Sequence, residues 1–142
     1  MTGVDLTLGQ IAIGDECSTN IKLTESLVDD FIVISGDHSR LHTDPHYAKL
    51  AGFKGRVVHG VMISSFFSAL IGTKLPGNSA LLLELSTKFH QPAFVGDKIQ
   101  VTVSVAEIHE STNCINLKLR ACNDQGKKVA SGRALVKVRN SS

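Results

Sequence analysis

Residues 57–75 read Val-Val-His-Gly-Val-Met-Ile-Ser-Ser-Phe-Phe-Ser-Ala-Leu-Ile-Gly-Thr-Lys-Leu, and no other stretch restricts the fold so strongly. Wound as a helix, it sets Val58, Val61, Met62, Ile63, Phe66, Phe67, Ala69, Leu70 and Ile71 on nearly every side. A helix without a polar face has to be enclosed. Its most apolar part, 57–72, contains His59 and three serines and is shorter than the ~20 residues that cross a bilayer. The expected enclosure is therefore protein, with no membrane span.

The rest of the chain supplies that enclosure. Leu81, Leu83, Leu85, Thr87 and Phe89 alternate with Leu82, Glu84, Ser86 and Lys88; Ile99, Val101, Val103 and Val105 alternate with polar neighbours. Ile115, Leu117, Leu119 and Ala121 repeat the pattern, as do Ala130, Ala134, Val136 and Val138, and Cys17, Thr19, Ile21 and Leu23 mark an earlier strand. Period two with one wet face is the signature of half-buried strands. The turn-rich joins 91–97, 110–113 and 123–126 predict hairpins and a meandering antiparallel sheet. Before the long helix, Thr24 caps a helix with Leu27, Val28, Phe31 and Ile34 on one side, stopped by Gly36. Asp44-Pro45 starts a shorter one that ends near Gly52. These elements predict a single α+β domain over 1–142, a curved antiparallel sheet wrapped around a long central helix. One sheet leaves a helix flank bare, so a homodimer is expected to cover it.

Composition narrows the function. At 42% hydrophobic and 20% charged, the chain is of ordinary globular type. A net charge of +2 with scattered lysines and arginines, one Tyr and six Phe give little support to nucleic-acid binding, while a small anionic ligand fits. Cys17, Cys114 and Cys122 are odd in number and not closely spaced, which predicts reduced thiols in a cytoplasmic setting. Residues 1–20 carry Asp5, Asp15 and Glu16 and no apolar core of signal-peptide length, so secretion is not expected.

The chemistry is expected in Ser35-Gly36-Asp37-His38-Ser39-Arg40-Leu41-His42, on a predicted loop. A carboxylate and an imidazole five residues apart suit acid and base work on one water; the competing reading has Asp37 bracing the loop and His42 at the surface. Gly60, near the start of the long helix, has the free N–H and dipole position that favour developing negative charge, or else only permits close packing. Ser64 and Ser68 share a helix face, and His59 borders the same region. Lys54 and Arg56, and Lys88 and Lys98 about the Pro92 turn, are cations for a phosphate or an acidic carrier surface. His38, His42 and His46 are evenly spaced, but Gly36 and Pro45 interrupt the helix that would align them, so no metal site is expected. No G-x-S-x-G is present, so a serine hydrolase lacks its nucleophile signature.

Phe31, Gly36-Asp37, Leu41-His42, Val58-His59-Gly60, the small-residue helix through Ser68, Leu75-Pro76-Gly77 and Phe94-Val95-Gly96-Asp97 together resemble the MaoC-like (R)-specific enoyl-CoA hydratases, over about residues 27–138. The family signature runs Gly-Asp, any residue, Asn-Pro, an aliphatic residue, His; here Ser39-Arg40 stands in place of Asn-Pro. The resemblance implies a hot dog fold and reversible hydration of trans-2-enoyl thioesters to (R)-3-hydroxyacyl thioesters. It also implies Asp37 and His42 as the pair that activates water, Gly60 N–H as donor to the thioester oxygen and Ser68 orienting the pair. His59, Ser64, Lys54 and Arg56 are then expected around the substrate, which is a coenzyme A or carrier-protein thioester, and no prosthetic group is implied. Other enzymes of this fold place a carboxylate on the central helix, and 57–75 contains no Asp or Glu. Three alternatives remain: dehydration of a 3-hydroxyacyl carrier protein in fatty-acid synthesis, an acyl-thioester-binding protein without turnover, and a purely structural or assembly module. The second is motivated by Arg40, a cation expected close to Asp37, and by the lost stiffness of proline.

Overall fold

The structure is a computed structural model that describes residues 4–140, so both ends of the expected 1–142 domain lie outside the described residues. The elements follow in the order β1 (Glu16–Lys22), α1 (Glu25–Ser35), α2 (Arg40–Thr43), α3 (Pro45–Leu50), α4 (Gly60–Thr73), β2 (Ala80–Phe89), β3 (Lys98–His109), β4 (Cys114–Asn123) and β5 (Lys128–Val138). All five strands form one antiparallel sheet in the order β1-β3-β4-β5-β2. Helix α4 packs against β1, β2 and β3, with Phe67 and Ile71 buried in the sheet's concave face beside Val101, Val103, Ile115, Leu117 and Leu119. Burying each such side chain contributes roughly 1.5–3 kcal/mol, so the helix that needed enclosure supplies the core. This is the expected hot dog arrangement.

The long helix is shorter than its apolar run. Val57 bridges to Phe94 and the Val58 N–H donates to the Ala93 carbonyl, so the chain stays extended until Gly60. Nor is α4 enclosed on every side: Val61 is 68% exposed, and Ser65, Ser68 and Ala69 share its open flank.

The meander holds for β3, β4 and β5 but fails at 91–97. There the chain crosses from one edge of the sheet, where β2 pairs with β5, to β3 at the far side. Pro92 cannot donate to a ladder, and the segment pairs instead with Val57 and with Leu23, whose N–H and C=O bond to Asp97 and Gly96. Strand β2 also changes face midway. A register shift between Leu82 and Glu84 turns Leu81 and Leu83 outward, at 48% and 51% exposed, and Leu82 and Leu85 inward.

In α1, Thr24 Oγ1 accepts the Leu27 N–H and Gly36 takes φ 74°, as a left-handed stop requires. The buried stripe is Val28, Phe31 and Ile32, however, and Ile34 is 81% exposed. At 100° per residue Ile34 has rotated away from Val28, which the predicted grouping overlooked. The three cysteines are unpaired, and burial pushes the Cys17 thiol pKa up. Among the described residues no helix is long and apolar enough to cross a membrane.

Candidate active site

The end of α1 presents Asp37. Ser35 Oγ donates to the Phe31 carbonyl at 2.7 Å and accepts the Asp37 N–H at 3.1 Å, while Asp37 Oδ1 accepts the Ser39 N–H at 3.3 Å. The predicted loop then closes into the single turn of α2, with Thr43 Oγ1 bonded to the Ser39 carbonyl at 3.2 Å. That turn directs His42 inward, its side chain 15% exposed, and sets its Nδ1 2.7 Å from the Val57 carbonyl oxygen. A carbonyl only accepts, so Nδ1 carries the proton and the Nε2 of a neutral ring holds a lone pair. Nε2 lies 3.8 Å from Asp37 Oδ2. The gap is too long for a direct hydrogen bond and suits one shared water.

His59 connects both groups. It is 2% exposed, stacks on the His42 ring at 3.7 Å and 22°, and meets the Phe31 ring edge-on at 4.9 Å. Its Nε2–H donates to the Asp37 carbonyl at 2.9 Å, leaving Nδ1 buried without a partner among the described residues. Asp37, His42 and His59 offer donor atoms within 4.8 Å of one another, a set to test against a metal. Imidazole lone pairs lie in the ring plane, and two stacked rings hold theirs side by side instead of converging on one ion.

A cleft of about 360 Å³ opens beside His42, lined by Gly60, Ile63, Phe89, His90 and Pro92. Gly60 begins α4, and its amide and that of Val61 have no hydrogen-bond acceptor among the described residues. Both are thus available to an anion at the positive end of the helix. A Cβ on Gly60 would stand 2.9 Å from the Phe89 ring, so this glycine also permits close packing.

The other predicted residues divide. Ser64 is 8% exposed and donates to Thr87 Oγ1 on β2 at 3.0 Å, tying helix to sheet instead of facing substrate. Ser68 is exposed and makes no hydrogen bond to Asp37 or His42 among the described residues; spacing aligned it with Ser64, but the roughly 40° between them turns it onto the open flank with Val61 and Ser65. Lys54 pairs with Asp97 at 3.3 Å and lies over the Phe94 ring at 4.8 Å. It lines a second cavity, of about 350 Å³, which also includes Lys98 and meets the first at Gln91 and Pro92. Arg56 is no phosphate contact, because its guanidinium is 9% exposed and bonded to the His42 carbonyl, Glu25 and Asp29. Arg40 also departs from expectation: it pairs with Asp44 at 3.2 Å and covers the Tyr47 ring at 4.3 Å, turned to α3 and not to Asp37. The Tyr47 amide, with Arg40, lowers the Asp44 pKa. Phe89 and His90 were missed. The bulge in β2 hid which way that strand's end faces, and His90, 2.6 Å from Ser131 Oγ, carried no motif.

The profile of the MaoC like domain matches residues 10–123. The (R)-specific enoyl-CoA hydratase of Aeromonas caviae is 31% identical over 128 residues, covering 90% of this chain and 96% of that one. A mitochondrial 3-hydroxyacyl-[acyl-carrier-protein] dehydratase of Arabidopsis thaliana is 31% identical over 72% of this chain and 61% of its own. The unliganded R-hydratase PhaJ1 of Pseudomonas aeruginosa superimposes with a TM-score of 0.92 at 28% identity, covering 99% of this chain and 90% of that structure.

Proposed function

We propose, from the premise that this chain belongs to the MaoC-like domain family, that it adds water reversibly to trans-2-enoyl thioesters and yields (R)-3-hydroxyacyl thioesters. The chain is a lyase. The observation that carries the reading is the 3.8 Å separation of Asp37 Oδ2 and His42 Nε2, with His42 and Gly60 lining one cleft. A water that bridges the two atoms from the side is oriented by both groups. As its oxygen bonds to C3, one member of the pair takes its proton and the double-bond electrons move onto the thioester oxygen. The Gly60 N–H, 60 being the first residue of α4, stabilises that charge. The proton then returns to C2 from the same side, so hydrogen and hydroxyl add to one face. No prosthetic group enters these steps.

The carrier is the open part of the reading. The Arabidopsis relative named for acyl carrier protein favours the dehydratase direction, while the (R)-specific hydratase names favour coenzyme A. The test presents one trans-2-enoyl chain on each carrier and follows the loss of conjugated absorbance. Turnover on either supports the reading, a tenfold preference in kcat/KM assigns the carrier, and no loss on both contradicts it. Of the two motives for a binding protein without turnover, the cation beside Asp37 falls away, since Arg40 is turned to Asp44 and Tyr47; the missing proline stays, and absence of turnover on both carriers would favour that reading.

A homodimer follows from the bare flank of α4. Val61, 68% exposed, and Ala69 leave an apolar strip that a second copy would cover. Light scattering at micromolar concentration is expected to give twice the protomer mass, and Val61→Asp to reduce it toward one; a wild-type monomer contradicts the assembly.

A further inference from the structure

Arg56 is a buried cation outside the pair assigned to the chemistry. Its Nε donates to the His42 carbonyl oxygen at 2.6 Å, its Nη2 to Asp29 at 2.7 Å and its Nη1 to Glu25 at 3.3 Å. Glu25 and Asp29 stand one turn apart on α1, the helix that delivers Asp37. One guanidinium therefore fastens the helix before Asp37 to the peptide of His42, gripping residues 37–42 from both sides. Val57 completes the hold, its N–H bonded to the Leu41 carbonyl at 2.9 Å and its own carbonyl to His42 Nδ1 at 2.7 Å.

The arrangement serves geometry as well as stability. The guanidinium is buried, so Asp29 and Glu25 compensate its charge, and at 58% and 73% exposed they hold it from the water side. A planar fork with several donors also fixes direction, which a point charge does not. Between Asp37 and His42 the chain has no proline of its own to fix the backbone, so the segment relies on contacts from outside it. We propose that Arg56 is a positioning residue that sets the gap between Asp37 Oδ2 and His42 Nε2. The role rests on the hydratase reading above.

The test compares wild type with Arg56→Lys and Asp29→Asn on the enoyl thioester that turns over best. Lysine keeps the charge but not the three-way fork, and kcat is expected to fall roughly 30- to 100-fold with KM within threefold, the scale of a 1 Å misplacement. Asp29→Asn keeps an acceptor oxygen for Arg56 while removing the charge; a melting curve normalises for any loss of fold, and kcat per folded molecule is expected to fall about three- to tenfold. Imidazole ¹H–¹⁵N spectra are expected to show the Nδ1–H form of His42 in wild type and a mixture of tautomers in Arg56→Lys. A purely structural Arg56 would lower the melting temperature and leave kcat per folded molecule and the tautomer unchanged. A working wild type with kcat kept within twofold in both variants overturns the role of Arg56 alone. A wild type silent on both carriers overturns the hydratase reading and this role with it.

Discussion

Asp37→Asn and His42→Gln are each expected to lower kcat by about a thousandfold, near 4 kcal/mol of barrier, with the protein still folded. In the proposed reaction the two groups act on one water, so removing either is expected to end the proton transfer that the other depends on. Asparagine keeps the acceptor for the Ser39 N–H and the size of the side chain, and the carboxylate is already half exposed, so the change reaches chemistry before stability. Glutamine retains an N–H for the Val57 carbonyl but has no lone pair to serve as a base. The double variant is expected to be no slower than the worse single one, because a unit that has lost one member has little left to lose. Single-turnover measurements of both variants, with melting curves alongside, check this. Either variant keeping a tenth of wild-type kcat would remove that residue from the chemistry.

Gly132→Ala is expected to damage the fold severely although the change is conservative. Gly132 lies in β5 between Thr87 of β2 and Leu119 of β4, and a Cβ there would stand 1.9 Å from the Ser86 carbonyl oxygen and 2.9 Å from its carbon. The obstacle is backbone, which cannot rotate away as a side chain does. Strand β2 would have to part from β5, stretching hydrogen bonds on an edge that also anchors α4 through Ser64 and Thr87. A loss of about 3 kcal/mol, at the upper end for overpacking, is expected, or roughly 10 °C in melting temperature for a domain of this size. Gly72, on the exposed flank of α4 with nothing within 4 Å of an added Cβ, is the control: Gly72→Ala is expected to be neutral or stabilising. Equal melting temperatures for the two variants would contradict the packing described for β5.

What the sequence made legible was local. The apolar run named the central helix, Thr24 and Gly36 bounded α1, and Gly36-Asp37 with His42 located the candidate pair, because each signal lies within a few residues. The faces of β3 and β4 were legible too, since Ile99, Val101, Val103, Ile115, Leu117 and Leu119 alternate without interruption against a single core. What was not legible came from contacts distant in the chain. The three acceptors of Arg56 lie 14, 27 and 31 residues away, so a buried brace read as a free phosphate contact. The crossing of 91–97 depends on β1 occupying the edge of β3 that a hairpin from β2 would have taken, and alternation says nothing about which strands are neighbours. The bulge after Leu82 shifts every later residue of β2 by one face, and nothing in a run of leucines marks it. Ser68 lies on the open flank because the roughly 40° that separates it from Ser64 crosses the margin of the buried face, and periodicity alone does not say where that margin falls.

The central claim is that a water held between Asp37 and His42 is added to one face of an enoyl thioester beside the Gly60 amide. The most direct measurement lets purified protein act on trans-2-butenoyl-CoA, or its carrier-protein counterpart, in D₂O and identifies the product by chiral chromatography and mass. The account predicts loss of the conjugated absorbance to a plateau and a single (R)-3-hydroxy product carrying one deuterium at C2. An (S) or racemic product, or no loss of absorbance on either carrier, would contradict it.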